Sequence, residues 1–222
     1  MKIVCMGDST MQYNDASTYP QIGWPQTLYP YLKKDVFLLD LAKNGRSTRT
    51  FLEEGRFEDA LRLSEQGDVV LMQFGHNDEH VHNPERFTTP DQYYDNLVYM
   101  VNECKKKGAY VLLLTPIYRR WFKDGVMDMT CHQGYREKMI AAAKDTDTPV
   151  IDLTVLSREG LIEMGDEASK ELFMNFAAGI YDNYPEGMND DTHLRYKGGE
   201  FIRDLFLEAV KDNEKMKECL HV

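Results

Sequence analysis

Five short apolar runs recur along the chain, each followed by a longer stretch with helical spacing. They are KIVCM (2–6), VFLLDLA (36–42), DVVLMQF (68–74), YVLLLT (110–115) and PVIDL (149–153). Most are apolar at nearly every position rather than at every second one. A strand of that kind has to be covered on both faces, which is the condition of a parallel strand inside a layered sheet. Amphipathic segments lie between the runs, at 22–33, 50–66, 90–107, 132–146 and 154–166, and a last one covers 197–218. The third opens on Thr89-Pro90-Asp91 and ends at Gly108 after three lysines, so its charges complement the helix dipole at both ends. Strand–helix alternation predicts an α/β fold, a flavodoxin-like three-layer α/β/α sandwich around a five-stranded parallel sheet. No repeat, low-complexity tract or linker interrupts residues 1–222, which read as one domain.

Charge and length narrow the function. The 37 acidic and 26 basic residues leave a formal charge of −11, which repels a phosphate backbone and argues against a nucleic-acid partner. No run approaches the roughly 18 apolar residues of a spanning helix, so no membrane role is expected. The opening MKIVCMGDST turns polar too early for a secretion signal. Cys5, Cys104, Cys131 and Cys219 have no paired spacing and read as reduced thiols of a cytoplasmic protein.

In open parallel sheets ligands bind beyond the carboxyl ends of the strands, and here polar motifs follow three of the strands directly. Gly7-Asp8-Ser9-Thr10 places a serine at the edge of the first strand, either as a nucleophile or as the cap of a following helix. Asn44-Gly45-Arg46-Ser47 after the second is a plain Asn-Gly turn or a glycine amide aimed at an oxyanion. Gly75-His76-Asn77-Asp78 after the third is an Asx turn or a source of a side-chain N–H for the same oxyanion. Far downstream, Asp190-Asp191-Thr192-His193 is an acidic surface turn or a carboxylate that orients an imidazole. Its i, i+3 spacing favours Asp190 over the adjacent Asp191. Together the four supply a nucleophile, a base, an orienting acid and two oxyanion donors.

These blocks resemble those of the SGNH (GDSL-type) hydrolases. Within that superfamily the stretches GDSTMQ, NGRSTRTF, QFGHND, TPIYRRWF, LFMNF and DDTHL are similar to the rhamnogalacturonan acetylesterase group, carbohydrate esterase family twelve. The resemblance implies Ser9 as nucleophile, His193 as base and Asp190 as its partner. It implies oxyanion donors from the Ser9 amide, the Gly45 amide and the Asn77 side chain, and no metal or other cofactor. One stretch departs from the group's pattern. Where a Thr-His-Gly-like sequence is expected after Arg119 and Arg120, this chain has Thr130-Cys131-His132-Gln133-Gly134, a difference that bears on substrate preference.

The expected substrate is an acetylated pectic or related plant oligosaccharide. A broad carboxylesterase, an acetyl xylan esterase, a lysophospholipase or thioesterase, and a sugar-binding pseudo-enzyme are the alternatives. Arg46, Arg119 and Arg120 are candidate substrate contacts, with Arg49 and Arg195 also expected at the pocket, because guanidinium forks suit uronate carboxylates. Tyr13, Tyr19, Trp24, Trp121 and Tyr181 are candidates for stacking on sugar rings. His76, His80 and His82 have the crowding of a zinc site, but they precede Asn83-Pro84 and read as a loop. The final helix offers a face for a homodimer.

Overall fold

The computed structural model describes residues 1–222. Its five parallel strands are β1 (Lys2–Gly7), β2 (Phe37–Asp40), β3 (Val69–Gln73), β4 (Tyr110–Leu114) and β5 (Val150–Ile151). They lie in the order β2-β1-β3-β4-β5, the flavodoxin-like order expected from the sequence. Because side chains alternate across a strand, each central strand feeds two separate cores. Ile3, Cys5, Val69, Leu71, Leu112 and Leu114 point to one face, and Val4, Met6, Val70, Met72, Val111 and Leu113 to the other. This is why the runs are apolar throughout rather than alternating.

The second face is covered by α1 (Thr48–Glu53), α2 (Arg56–Leu63), α3 (Pro90–Lys106) and α4 (Tyr135–Asp145). Thr89 caps α3 by accepting from the Gln92 amide at 3.2 Å, while the Gln92 side chain accepts from the Thr89 amide at 3.0 Å. The first face is covered by α5 (Leu153–Met164), α6 (Tyr196–Val210) and α7 (Glu214–Cys219). No helix is long and apolar enough to cross a membrane.

Several elements differ from the sequence reading. The segment expected as one helix over 50–66 breaks at Gly55, whose φ of +71 is left-handed. The last helix breaks after Val210, where Asn213 caps α7 through the Met216 amide. Residues 22–33 form a 3-10 helix over Trp24–Tyr31 rather than an α-helix, consistent with prolines at 25 and 30. An antiparallel hairpin was not expected at all. It pairs β6 (Phe173–Phe176) with β7 (Met188–Leu194), and β7 is too polar to read as a strand.

At the carboxyl end of β1 a residue with a side chain does not fit. A Cβ on Gly7 would sit 2.7 Å from both the Gln73 carbonyl oxygen and the Met11 sulfur. Gly7→Ala is therefore expected to cost about 1–3 kcal/mol of stability, read as a lower urea midpoint. An unchanged midpoint would show that β1 and β3 can separate freely at this end.

Candidate active site

Ser9 lies one residue beyond the Gly7-Asp8 turn and is 5% exposed. The turn is built by Asp8, whose carboxylate accepts from the Thr10 amide at 3.0 Å and the Thr10 hydroxyl at 2.8 Å. The carbonyl of Asp8 then accepts from the Met11 and Gln12 amides. Asp8 is thus spent on turn geometry, and the serine hydroxyl is left facing the cleft.

The histidine reaches Ser9 because of an irregularity in β7. Phe173 pairs with Leu194 and the next residue, Met174, pairs with Asp190, so Asp191, Thr192 and His193 are looped out of the ladder. The Asp190 carboxylate closes the loop, accepting from the Thr192 amide at 2.8 Å and the His193 amide at 3.0 Å. Its other oxygen lies 2.6 Å from His193 Nδ1, and His193 Nε2 lies 2.9 Å from Ser9 Oγ. Burial pushes the Asp190 carboxyl up, but the hydrogen bonds and charge of His193 and the Thr192 amide outweigh it and bring its pKa down to about 2. Asp191 faces away from the histidine, accepting from Arg120 Nε and Asn175 Nδ2, both at 2.8 Å.

Asn77 is fixed at both ends of its amide. Its oxygen accepts from Arg86 at 2.8 Å and its nitrogen donates to the Arg46 carbonyl at 3.0 Å, which leaves one N–H free. Gly45 has φ +78, a conformation that favours glycine, and neither its amide nor that of Ser9 donates inside the protein. Beside Asn77, Asp78 ties the loop to neighbouring segments through Thr48 and Thr88. Its burial raises its pKa to about 7 despite those bonds.

The cleft over these groups has a volume of about 260 Å³ and no apolar lining residue. Ser9, His193, Asn77, Arg86, Arg119 and His80 are among those lining it.

Residues 5–200 match the GDSL-like lipase/acylhydrolase family model. The chain belongs to that family. It is 33% identical to the rhamnogalacturonan acetylesterase RhgT of Bacillus subtilis, over 96% of this chain and 90% of that protein. It is 34% identical to the probable rhamnogalacturonan acetylesterase YesY of the same organism, over 95% of this chain and 92% of that one. Among solved structures, protein YxiM of Bacillus subtilis superposes with a TM-score of 0.79 at 27% identity. That match covers 95% of this chain and 56% of YxiM, so the chain spans little more than half of that protein's length. This GDSL-like hydrolase is a carboxylic ester hydrolase.

The candidate substrate residues are dispersed. Arg119 lines the cleft. Arg46 sits beside it, in a smaller depression with Gly45 and Arg86, its guanidinium paired with Glu54 at 2.9 Å. Arg120 is 5% exposed and bound to Asp191 and Asp166, so it braces the hairpin and cannot reach a ligand in the cleft. Arg49 donates to the Pro84 carbonyl, and Arg195 to the Phe173 carbonyl. Trp24 is fully buried, donating to Gln73 at 3.0 Å and packed on Phe206, so it stacks on no sugar. Arg86 escaped the sequence reading because it lies in an irregular loop, with no periodic pattern to mark it.

Behind the cleft runs a buried polar network that the sequence did not disclose. His76 Nδ1 lies 3.2 Å from Asp8, and burial pushes its pKa down to about 4. The His132 ring meets it edge to face, at 4.6 Å between centroids. His132 places Nδ1 3.0 Å from Glu79 and Nε2 2.9 Å from the Ile117 carbonyl, so both nitrogens face acceptors. Arg119 lies 3.0 Å from the same Glu79. Atoms of Glu79, Cys131 and His132 lie within 4.8 Å of one another, spacing that suits a metal, but the hydrogen bonds already occupy the imidazole. His76, His80 and His82 do not converge on one another, the first being buried beside Asp8 and the last exposed.

Burial alone would lower the His132 pKa; hydrogen bonding and charge from Cys131 and Glu79 outweigh it and raise the value from 6.5 to about 9. A raised value means that the protonated ring contributes stability fully below 6.5 and loses it as pH rises through about 9. The stability difference between wild type and His132→Gln is expected to shrink over that interval, by on the order of 3 kcal/mol. Urea unfolding at a series of pH values measures it. A difference that is flat with pH would mean that His132 is neutral.

Proposed function

We propose that the chain is a carbohydrate O-acetylesterase acting on rhamnogalacturonan-type or related plant oligosaccharides, with Ser9, His193 and Asp190 as its catalytic triad. The observation that carries the reading is a serine–histidine–carboxylate array opening into a cleft with no apolar lining residue. A short acyl group on a polar alcohol suits such walls, whereas a long aliphatic chain would leave them unpaired. The relatives at 33% and 34% identity, a rhamnogalacturonan acetylesterase and a probable one, support the same substrate class. Arg86 and Arg119 bring positive charge to the cleft of a chain whose formal charge is −11, which suits a uronate neighbour of the ester.

In the reaction, Ser9 Oγ attacks the acetyl carbonyl as its proton passes to His193 Nε2. Asp190 holds the Nδ1–H tautomer and stabilises the imidazolium. The oxyanion is met by the amides of Ser9 and Gly45 and by the free N–H of Asn77. Collapse of the tetrahedral intermediate breaks the bond to the sugar oxygen, which leaves with the proton from His193. Water, deprotonated by His193, then cleaves the acetyl-enzyme and releases acetate.

Acetate release from acetylated rhamnogalacturonan fragments tests the proposal. Release is expected from the wild type and none above background from Ser9→Ala. Asn77→Ala is expected to lower kcat by roughly a hundredfold, and Asp190→Asn by on the order of a thousandfold or more. Undiminished release by Ser9→Ala would refute the triad, and no release from any acetylated oligosaccharide would refute the substrate class.

A further inference from the structure

Resting on the carbohydrate-ester reading, we propose that a second cavity, walled by the segments that follow Ser9 and His193 in the chain, is a subsite for a neutral sugar of the substrate. It has a volume of about 600 Å³ and is lined by Tyr13, Tyr19, Ile180, Tyr181 and Tyr196 among others. Both segments that build the catalytic array continue into its wall. Tyr13 follows Ser9 by four residues, and the Ile22 amide donates at 2.9 Å to the carbonyl of Leu194, the residue after His193.

Three features of the cavity point to a sugar. The aromatic surface is offered rather than buried in packing, since Tyr13 is 54% exposed, Tyr19 60% and Tyr196 56%. Tyrosine rings present an apolar face with a polar rim, which matches a pyranose, whose C–H groups gather on one face and whose hydroxyls ring the edge. The walls are also held in place. Asn183 donates at 2.8 Å to both the Ala16 and Tyr19 carbonyls, tying the loop after β6 to the segment after Ser9, and Tyr19 meets Tyr181 edge to face at 5.6 Å. A cavity built in advance in this way avoids the ordering cost of binding.

The charge of the lining selects among sugars. Apart from tyrosine, its ionisable side chains are Asp15 and Asp182, both acidic. A uronate carboxylate would be repelled there, while an uncharged, hydroxyl-rich ring would not. The catalytic cleft has the opposite character, with Arg86 and Arg119 in its wall. An oligosaccharide in which neutral and acidic sugars adjoin meets both.

Calorimetric titration in a Ser9→Ala background tests the assignment without turnover. The probes are xylotetraose, which is neutral, tetragalacturonate, which is all uronate, and a deacetylated rhamnogalacturonan fragment, which mixes the two. The neutral and mixed probes are expected to bind and tetragalacturonate to bind more weakly than either. Adding Tyr13→Ala and Tyr19→Ala is expected to weaken the first two by roughly tenfold. Both rings are largely exposed, and the melting temperature of the variant reports that the fold survives. Binding of the neutral probe that is unchanged in the variant, or tetragalacturonate binding that is weakened by the tyrosine substitutions as much as that of the neutral probe, would overturn the assignment. Acetate release by the wild type is scored separately. Its failure with tyrosine-dependent binding intact would sink the esterase reading alone, and the converse would sink the subsite alone.

Discussion

A sheet whose two faces are both sealed by helices leaves polar chemistry only one place to go, the carboxyl edge of its strands. Every central strand here feeds two apolar cores, and charged or amide side chains within these strands stand only at their ends, as Lys2 and Gln73 do. Gly7, Gly45 and Gly75 stand where the chain leaves the sheet, and the polar residues that follow them converge. The array is then closed from outside the sheet, by a hairpin that the parallel scaffold does not require. Three residues looped out of β7 carry His193 to Ser9, and Asp190 fixes the loop through two amides while holding the imidazole with its other oxygen. One carboxylate therefore sets both the backbone and the ring.

That division explains what could be read in advance. The order of the five strands was legible because strands covered on both sides are apolar throughout, and the motifs were legible because they follow such strands immediately. The hairpin was not. Its second strand reads Met-Asn-Asp-Asp-Thr-His-Leu, a polar string whose pairing is visible only against Phe173–Phe176. The Asp190–His193 block could be taken as a turn, since i, i+3 spacing is shared by a turn and by this bulge. Trp24 and Arg120 were placed on a binding surface by residue type, whereas tertiary packing made one a core side chain and the other a brace between Asp166 and Asp191. Breaks at Gly55 and after Val210 divided two predicted helices, and neither shifted the site.

Electrostatics is arranged in layers around the cleft. The chain as a whole is acidic, yet Arg86 and Arg119 border the serine, and each is also anchored to the protein, on Asn77 and on Glu79. Positive charge is thereby held close to the proposed oxyanion site without being free to collapse on it. Deeper in, neutral His76 separates Asp8 from the charged pair of His132 and Glu79. The one stretch that departs from the pattern of the group it resembles, around Cys131 and His132, thus lies behind the site rather than in contact with a substrate.

The proposed chemistry turns on Ser9 being the activated nucleophile. Incubation with an organophosphate ester, followed by intact-mass and peptide analysis, tests this directly. A single phosphoryl adduct is expected on Ser9, with esterase activity lost in proportion to labelling, and adduct formation should be abolished in His193→Ala. An adduct on another residue, or full activity after complete modification of Ser9, would contradict it.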